Sequence, residues 1–221
     1  IVMPAKANTK KVTEDAIIGA YMDYVLEHEE VPKSIYKFCK ANKIKEEEFY
    51  NFFGSVDGLQ KAIWNTFYTN TEALINKNEA YNSFSNKDKM LTFFFTFFEL
   101  VTLNRSYVLF SLNENQNMLK NMEQLKGLRQ NIKSFATDLI EEGNANKTSK
   151  LTQHPPKLFS EGAWLQFMFL LKFWMNDSSP AFEKTDLAIE KSVTTIFDLF
   201  DNTPLESILD FGKFLYKENF S

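Results

Sequence analysis

Few residues in this chain have the chemistry for catalysis or metal binding, and their spacing does not bring them together. The two histidines, His28 and His154, lie in different segments without Cys, Asp or Glu at metal-ligand spacing. A single cysteine, Cys39, excludes an intramolecular disulfide and suits a reducing, cytoplasmic setting. No Gly-x-Gly-x-x-Gly, Gly-x-Ser-x-Gly or phosphate-binding loop occurs. Glu46-Glu47-Glu48 reads as a solvated helix start, where the helix dipole favours carboxylates, and not as an acid–base pair. Neither an enzymatic role nor a cofactor is expected.

The abundant chemistry is aromatic: the chain has 23 Phe. Such a surplus makes either a ring-packed core or an apolar cavity walled by rings. The most apolar runs are Leu91–Val101 and Ala163–Met175. Both fall short of the ~20 residues a transmembrane helix needs, and Glu99 and Lys172 interrupt them. At helical spacing Phe94, Phe97, Phe98 and Val101 share one face, as do Trp164, Phe167, Met168, Leu171 and Trp174. The only polar groups among them that could fix a ligand are Glu99, Arg105, Gln166 and Lys172. A pocket lined by Phe94, Phe97, Phe98, Tyr107, Trp164, Phe167, Met168 and Leu171 would therefore take a lipid, an isoprenoid or an aromatic molecule; the alternative is a well-packed core. Phe169 and Phe173 form a second stripe on the later helix, which suggests a partner subunit and a homodimer.

The elements that must position these residues are helices. With 44% apolar and 24% charged residues the composition is globular, and seven Gly and six Pro are too few for the turns of an all-β fold. The fold class expected is all-α, with about nine to ten helices. Thr13 caps a first helix that ends near Glu29, Ser34 caps a second over Ile35–Ala41, and a third covers Lys45–Phe52. Ser55 caps a fourth that reaches about Lys77. Longer helices are expected at Lys87–Leu103, Tyr107–Asn117, Leu119–Glu142, Leu158–Asn176, Glu183–Asp201 and Leu205–Glu218, with a long polar loop over Gly143–Lys157. Residues 1–12 read as a basic tail carrying Lys6, Lys10 and Lys11, without an apolar signal segment; Met3 reads as the natural start.

The stretch Ile17–Ile63 resembles the helix-turn-helix module of the TetR family. Phe38-Cys39 stands where that family has an apolar residue followed by Ala, so Cys39 fills a small buried position. Ile44 ends its turn, Tyr50-Asn51-Phe52-Phe53 matches its aromatic signature, and Ser55-Val56-Asp57-Gly58-Leu59 matches its helix-four start. The resemblance implies a DNA-binding domain over 1–78, with a tail and linking helix, and a ligand-binding and dimerisation domain over 79–221. It assigns DNA contacts to Lys37, Lys40, Lys45 and Tyr50, although the Tyr50 ring could equally pack helix three against helix one. Phe49, Phe52 and Phe53 are expected in the core.

The module also departs from the family. Lys43 replaces the usual turn Gly, Lys45 the usual N-cap Ser, and Val56 a phosphate-contacting Lys. Glu46, Glu47 and Glu48 would face phosphates that repel them. Through residue 72 nine lysines meet eleven acids, with no Arg before Arg105, and the whole chain carries −4. Two functions stay open. One is a transcriptional regulator, a DNA-binding homodimer controlled by an apolar effector. The other is a protein of the same fold that has lost DNA binding and serves as a lipid- or isoprenoid-binding accessory protein.

Overall fold

A computed structural model describes residues 12–114, 118–145 and 154–202. The basic tail through Lys11, the centre of the 143–157 loop and the helix expected at 205–218 lie outside the described residues. Among those described there are helices and no strand. They are α1 (Glu14–His28), α2 (Ile35–Ala41), α3 (Glu46–Tyr50), α4 (Val56–Ile75), α5 (Asn86–Leu103), α6 (Arg105–Asn113), α7 (Met118–Glu123), α8 (Lys126–Ala145), α9 (Pro156–Asn176) and α10 (Glu183–Asn202). Short 3-10 turns cover Glu79–Ser83 and Pro180–Phe182.

The helix starts follow from local side-chain chemistry. Thr13 Oγ1 accepts from the Ala16 N–H, Ser34 Oγ from Lys37, Ser55 Oγ from Gly58 and Ser85 Oγ from Asp88. Each hydroxyl satisfies an orphan donor of the first turn. At α9, Pro156 takes the first helical position, where its missing N–H costs nothing, so this helix begins two residues before Leu158.

One expected helix is two. The stretch 119–142 is broken between α7 and α8, because the buried Gln124 turns its amide back onto the chain. Its Nε2 donates to the carbonyls of Ser111 and Asn121, both at 2.9 Å, while Asn121 Nδ2 donates to the Leu112 carbonyl. Side-chain amides thus satisfy carbonyls at the ends of α6 and α7 and fix the turn. The expected 107–117 helix correspondingly shortens to α6.

By packing, the chain forms two compact units. The first comprises residues up to Ile63 together with 105–124; the second comprises 64–104 and the residues from 125 onward. The first unit closes on Ile17, Tyr21 and Val25 of α1, Phe38 of α2, Phe49 of α3, Leu59 of α4 and Tyr107 and Val108 of α6, all buried. The second is built around α5, whose buried residues include Phe93, Phe94, Phe97 and Val101. Around it lie Leu128 and Ile132 of α8, Phe167, Leu170 and Trp174 of α9, and Ile189 and Val193 of α10. The polar loop is tied at its ends, where Asn144 pairs with the backbone of His154 through two hydrogen bonds of 2.8 and 2.9 Å.

Candidate functional site

In the first unit, α2 and α3 are held from beneath. Phe38, Cys39, Phe49 and Phe53 are buried, and the Phe49 ring packs against Phe38 and Phe53. Burial, and then the Glu46 carboxylate, push the Cys39 thiol up, so it stays protonated and unreactive. Between the helices Lys43 adopts φ 57°, the left-handed conformation that the chain needs there to let Ile44 N–H return to the Cys39 carbonyl at 2.9 Å. Phe52 corrects the sequence reading: it is 41% exposed, because α3 ends at Tyr50 and the turn after it directs Phe49 and Phe53 inward instead.

The residues expected to meet DNA, Lys37, Lys40, Lys45 and Tyr50, are all exposed. Lys40 Nζ lies 5.9 Å from the Tyr36 ring centroid, a cation–π contact on the outer side of α2. Tyr50 does not pack α3 against α1; its ring is half exposed and its hydroxyl donates to Glu46 Oε1 at 3.4 Å. Partial burial and that carboxylate raise its pKa.

The three acids differ in position. Glu48 Oε2 accepts the Lys45 N–H at 3.0 Å and serves as a helix cap. Glu46 meets Tyr50, and Glu47 lies 3.6 Å from Lys45 Nζ with both side chains mostly in solvent.

The residues expected to line a pocket divide between the units. Tyr107 belongs to the first, buried edge-on to Tyr21 at 6.2 Å. Tyr21 accepts from Gln60 Nε2 at 3.0 Å, and Gln60 also donates to Glu114 at 2.8 Å. The Tyr107 hydroxyl is buried without a hydrogen-bond partner, and burial raises its pKa well above the ordinary value.

In the second unit Phe94, Phe97, Phe98, Phe167 and Leu171 are buried, with Trp164 and Met168 partly exposed. The rings fill the space by touching one another: Phe97 meets Phe167 at 5.3 Å, Phe98 meets Phe167 at 6.1 Å and Trp174 at 6.3 Å, and Trp164 stacks on Phe167 at 5.3 Å. The polar candidates are partly committed. Gln166 donates to Ser192 of α10 at 3.0 Å, and Glu161, which sequence reasoning missed, accepts from Arg129 and Lys133 of α8. No group of three His, Cys, Asp or Glu side chains among the described residues is placed to hold a metal.

The family model for the C-terminal domain of tetracyclin repressor-like proteins matches residues 89–215, more than half of the chain. The chain belongs to the TetR family. A solved structure from Syntrophomonas wolfei, described as a TetR-family transcriptional regulator, is similar in fold. Its TM-score is 0.66 at 16% identity, with 83% of this chain and 93% of that chain covered. No curated protein matches. The all-helical architecture is thus that of TetR-family regulators, and no single described helix is long and apolar enough to cross a membrane. The acids of α3 give its outer face a mixed charge.

Proposed function

We propose that this TetR-family chain is a transcriptional regulator that binds DNA as a homodimer and responds to an apolar small molecule. The observation that carries the reading is the outer face of α2 and α3. Lys37, Lys40, Lys45 and Tyr50 all project into solvent from helices whose opposite faces are anchored by Phe38, Phe49 and Phe53. Cations and a hydroxyl on a rigid helix pair are the groups that hold a phosphate backbone in register. Fluorescence anisotropy against the DNA upstream of the gene, at about 50 mM salt, tests it. Specific nanomolar binding is expected.

A second reading rests on a different observation. Tyr50 is bonded to Glu46 and Lys45 is paired with Glu47, so α3 neutralises its own phosphate-binding groups. A carrier of lipids or isoprenoids with no DNA role would tolerate that arrangement. Absence of binding at low salt, with the fold and dimer intact, favours this reading.

Replacing all three acids by Gln (Glu46→Gln, Glu47→Gln, Glu48→Gln) preserves an acceptor for the Lys45 N–H and removes three negative charges. Non-specific DNA affinity should rise about tenfold at low salt. If the chain is a repressor, sequence preference should fall in the same titration. An unchanged salt dependence and affinity would mean that α3 does not face DNA.

The proposed dimer uses the outer stripes of α9 and α10, where Phe169 is 54% exposed and Phe173 and Leu187 also stand in solvent. Apolar side chains left in water, two rings on α9 and a leucine on α10, are stabilised by a symmetric partner. Phe169→Glu should weaken self-association roughly a hundredfold, about 3 kcal/mol, because the interface would bury an unpaired charge. Because Phe169 is outside the protomer core, circular dichroism should be unchanged. Sedimentation velocity showing the same dimer in the variant would remove these stripes from the interface.

For the effector, the second unit is the proposed location; its interior is filled by ring contacts, so a ligand there has to part the rings of α5 and α9. A bound long-chain or aromatic molecule at 100 times its dissociation constant should stabilise the fold by about 2.7 kcal/mol in thermal melts.

A further inference from the structure

On the side of α5 turned away from the packed rings, the second unit has an open groove of about 390 Å³. Its walls are Leu74 and Ile75 at the end of α4 and Thr96, Leu100 and Leu103 on α5, with Glu99 among them. The volume falls in the range of small-molecule sites. Leu103 is 76% exposed and Leu74 43%, so the groove holds apolar surface in contact with water.

The charge in the groove is of one sign. Glu99 is exposed and, among the described residues, has no Lys or Arg paired with it. A second carboxyl is near: Asp186 at the start of α10 is raised by burial and then by Asp177 and Glu99. The remaining polar lining, Asn78 and Thr92, is neutral. A cleft with leucine walls and one exposed carboxylate that makes no ion pair attracts an apolar body that carries a positive charge. It repels phosphate, sulfate and carboxylate ligands.

We propose that this groove binds a small organic cation with an apolar body, such as an alkylammonium, whose charge pairs with Glu99 while its chain lies between Leu74 and Leu103. The site is separate from the ring-lined interior and requires neither DNA binding nor dimerisation.

The test uses the full chain carrying Leu103→Trp, a tolerated change because the side chain is largely in solvent. Decyltrimethylammonium, decanol and decyl sulfate are titrated below their aggregation concentrations while the difference in emission between the Leu103→Trp chain and the native chain, which has three tryptophans of its own, is followed. The ammonium compound should bind most tightly and the sulfate most weakly. Adding Glu99→Gln should weaken the ammonium compound roughly fivefold and leave decanol unchanged. Calorimetry on the native chain and on Glu99→Gln alone repeats the comparison without the reporter. The proposal is overturned if the three amphiphiles bind alike, if none binds, or if Glu99→Gln leaves the ammonium affinity intact. An indole shielded from iodide without ligand, increasingly so at higher protein concentration, would assign the groove to a second copy of the chain and would also overturn it.

Discussion

Phe97→Ala should destabilise the protein by about 3–5 kcal/mol. Phe97 is fully buried and meets Phe93 at 6.0 Å, Phe98 at 5.9 Å and Phe167 at 5.3 Å. Removing the ring forfeits its transfer free energy, its edge-to-face contacts and the dispersion contacts of the neighbours that remain. The void left is lined by rings and carries no polar group to hold water, so it should stay dry and accept benzene. Urea denaturation of the variant should therefore show a lowered midpoint, and saturating benzene should restore part of the loss in the variant but not in the native chain. A loss below about 1 kcal/mol would mean that Phe97 borders a space already open to a ligand. The same measurement thus decides between a packed core and a pocket wall at this position.

Asp177→Ala should cost about 3 kcal/mol, through a different mechanism. Asp177 joins α9 to α10. Its Oδ1 accepts the Ser179 N–H at 2.8 Å and the Ser179 hydroxyl at 2.7 Å, and its Oδ2 accepts the Thr185 N–H at 2.9 Å and hydroxyl at 2.7 Å. Thr185 is buried, so truncation leaves its donors without their acceptor. Burial raises the carboxyl pKa, but these four donors outweigh it and hold the group far below the usual carboxylate range. A pKa depressed on folding gives stability that is fully present above the unfolded value of about 4 and is lost as pH falls toward the folded value. Between about pH 4 and pH 2 the native chain should lose stability more steeply than Asp177→Asn, which has no charge to lose there. Parallel slopes for the two proteins would show that the network contributes nothing specific to the charged form.

Much of this architecture is legible in the sequence because it depends on near neighbours. Thr13, Ser34 and Ser55 cap the helices they precede, and the three-and-four spacing of Phe94, Phe97, Phe98 and Val101 marks a buried face that the structure contains. What the sequence conceals depends on distant contacts. Nothing local marks Gln124 as the breaker of a long helix, since its amide acts on a carbonyl thirteen residues away. The grouping of α6 with α1 rather than with α5, which it follows directly, is likewise decided by packing around Tyr107 and Tyr21. In the candidate DNA-binding face the residue types were readable but their pairings were not. Glu48 as a backbone cap and Glu46 as the acceptor of Tyr50 follow from rotamers that a run of three identical letters does not specify. The groove of Leu74 and Leu103 was invisible for the same reason, because it needs the end of α4 beside the outer side of α5.

The ring contacts of the second unit also determine how the protein handles light. Tyr68 lies 5.7 Å from Phe93, and a succession of rings through Phe97 and Phe98 ends at Trp174. Trp174 is sealed from solvent, and its indole N–H donates to Thr102 Oγ1 at 2.9 Å. Excitation absorbed along this succession can pass to Trp174, whose fixed, water-free setting places its emission at the blue end of the tryptophan range, and through Phe167 to the half-buried Trp164. The chain therefore carries a built-in reporter at the C-terminal ends of α5 and α9, and loosening of those ends shifts the Trp174 share of its three-tryptophan emission to the red without a label.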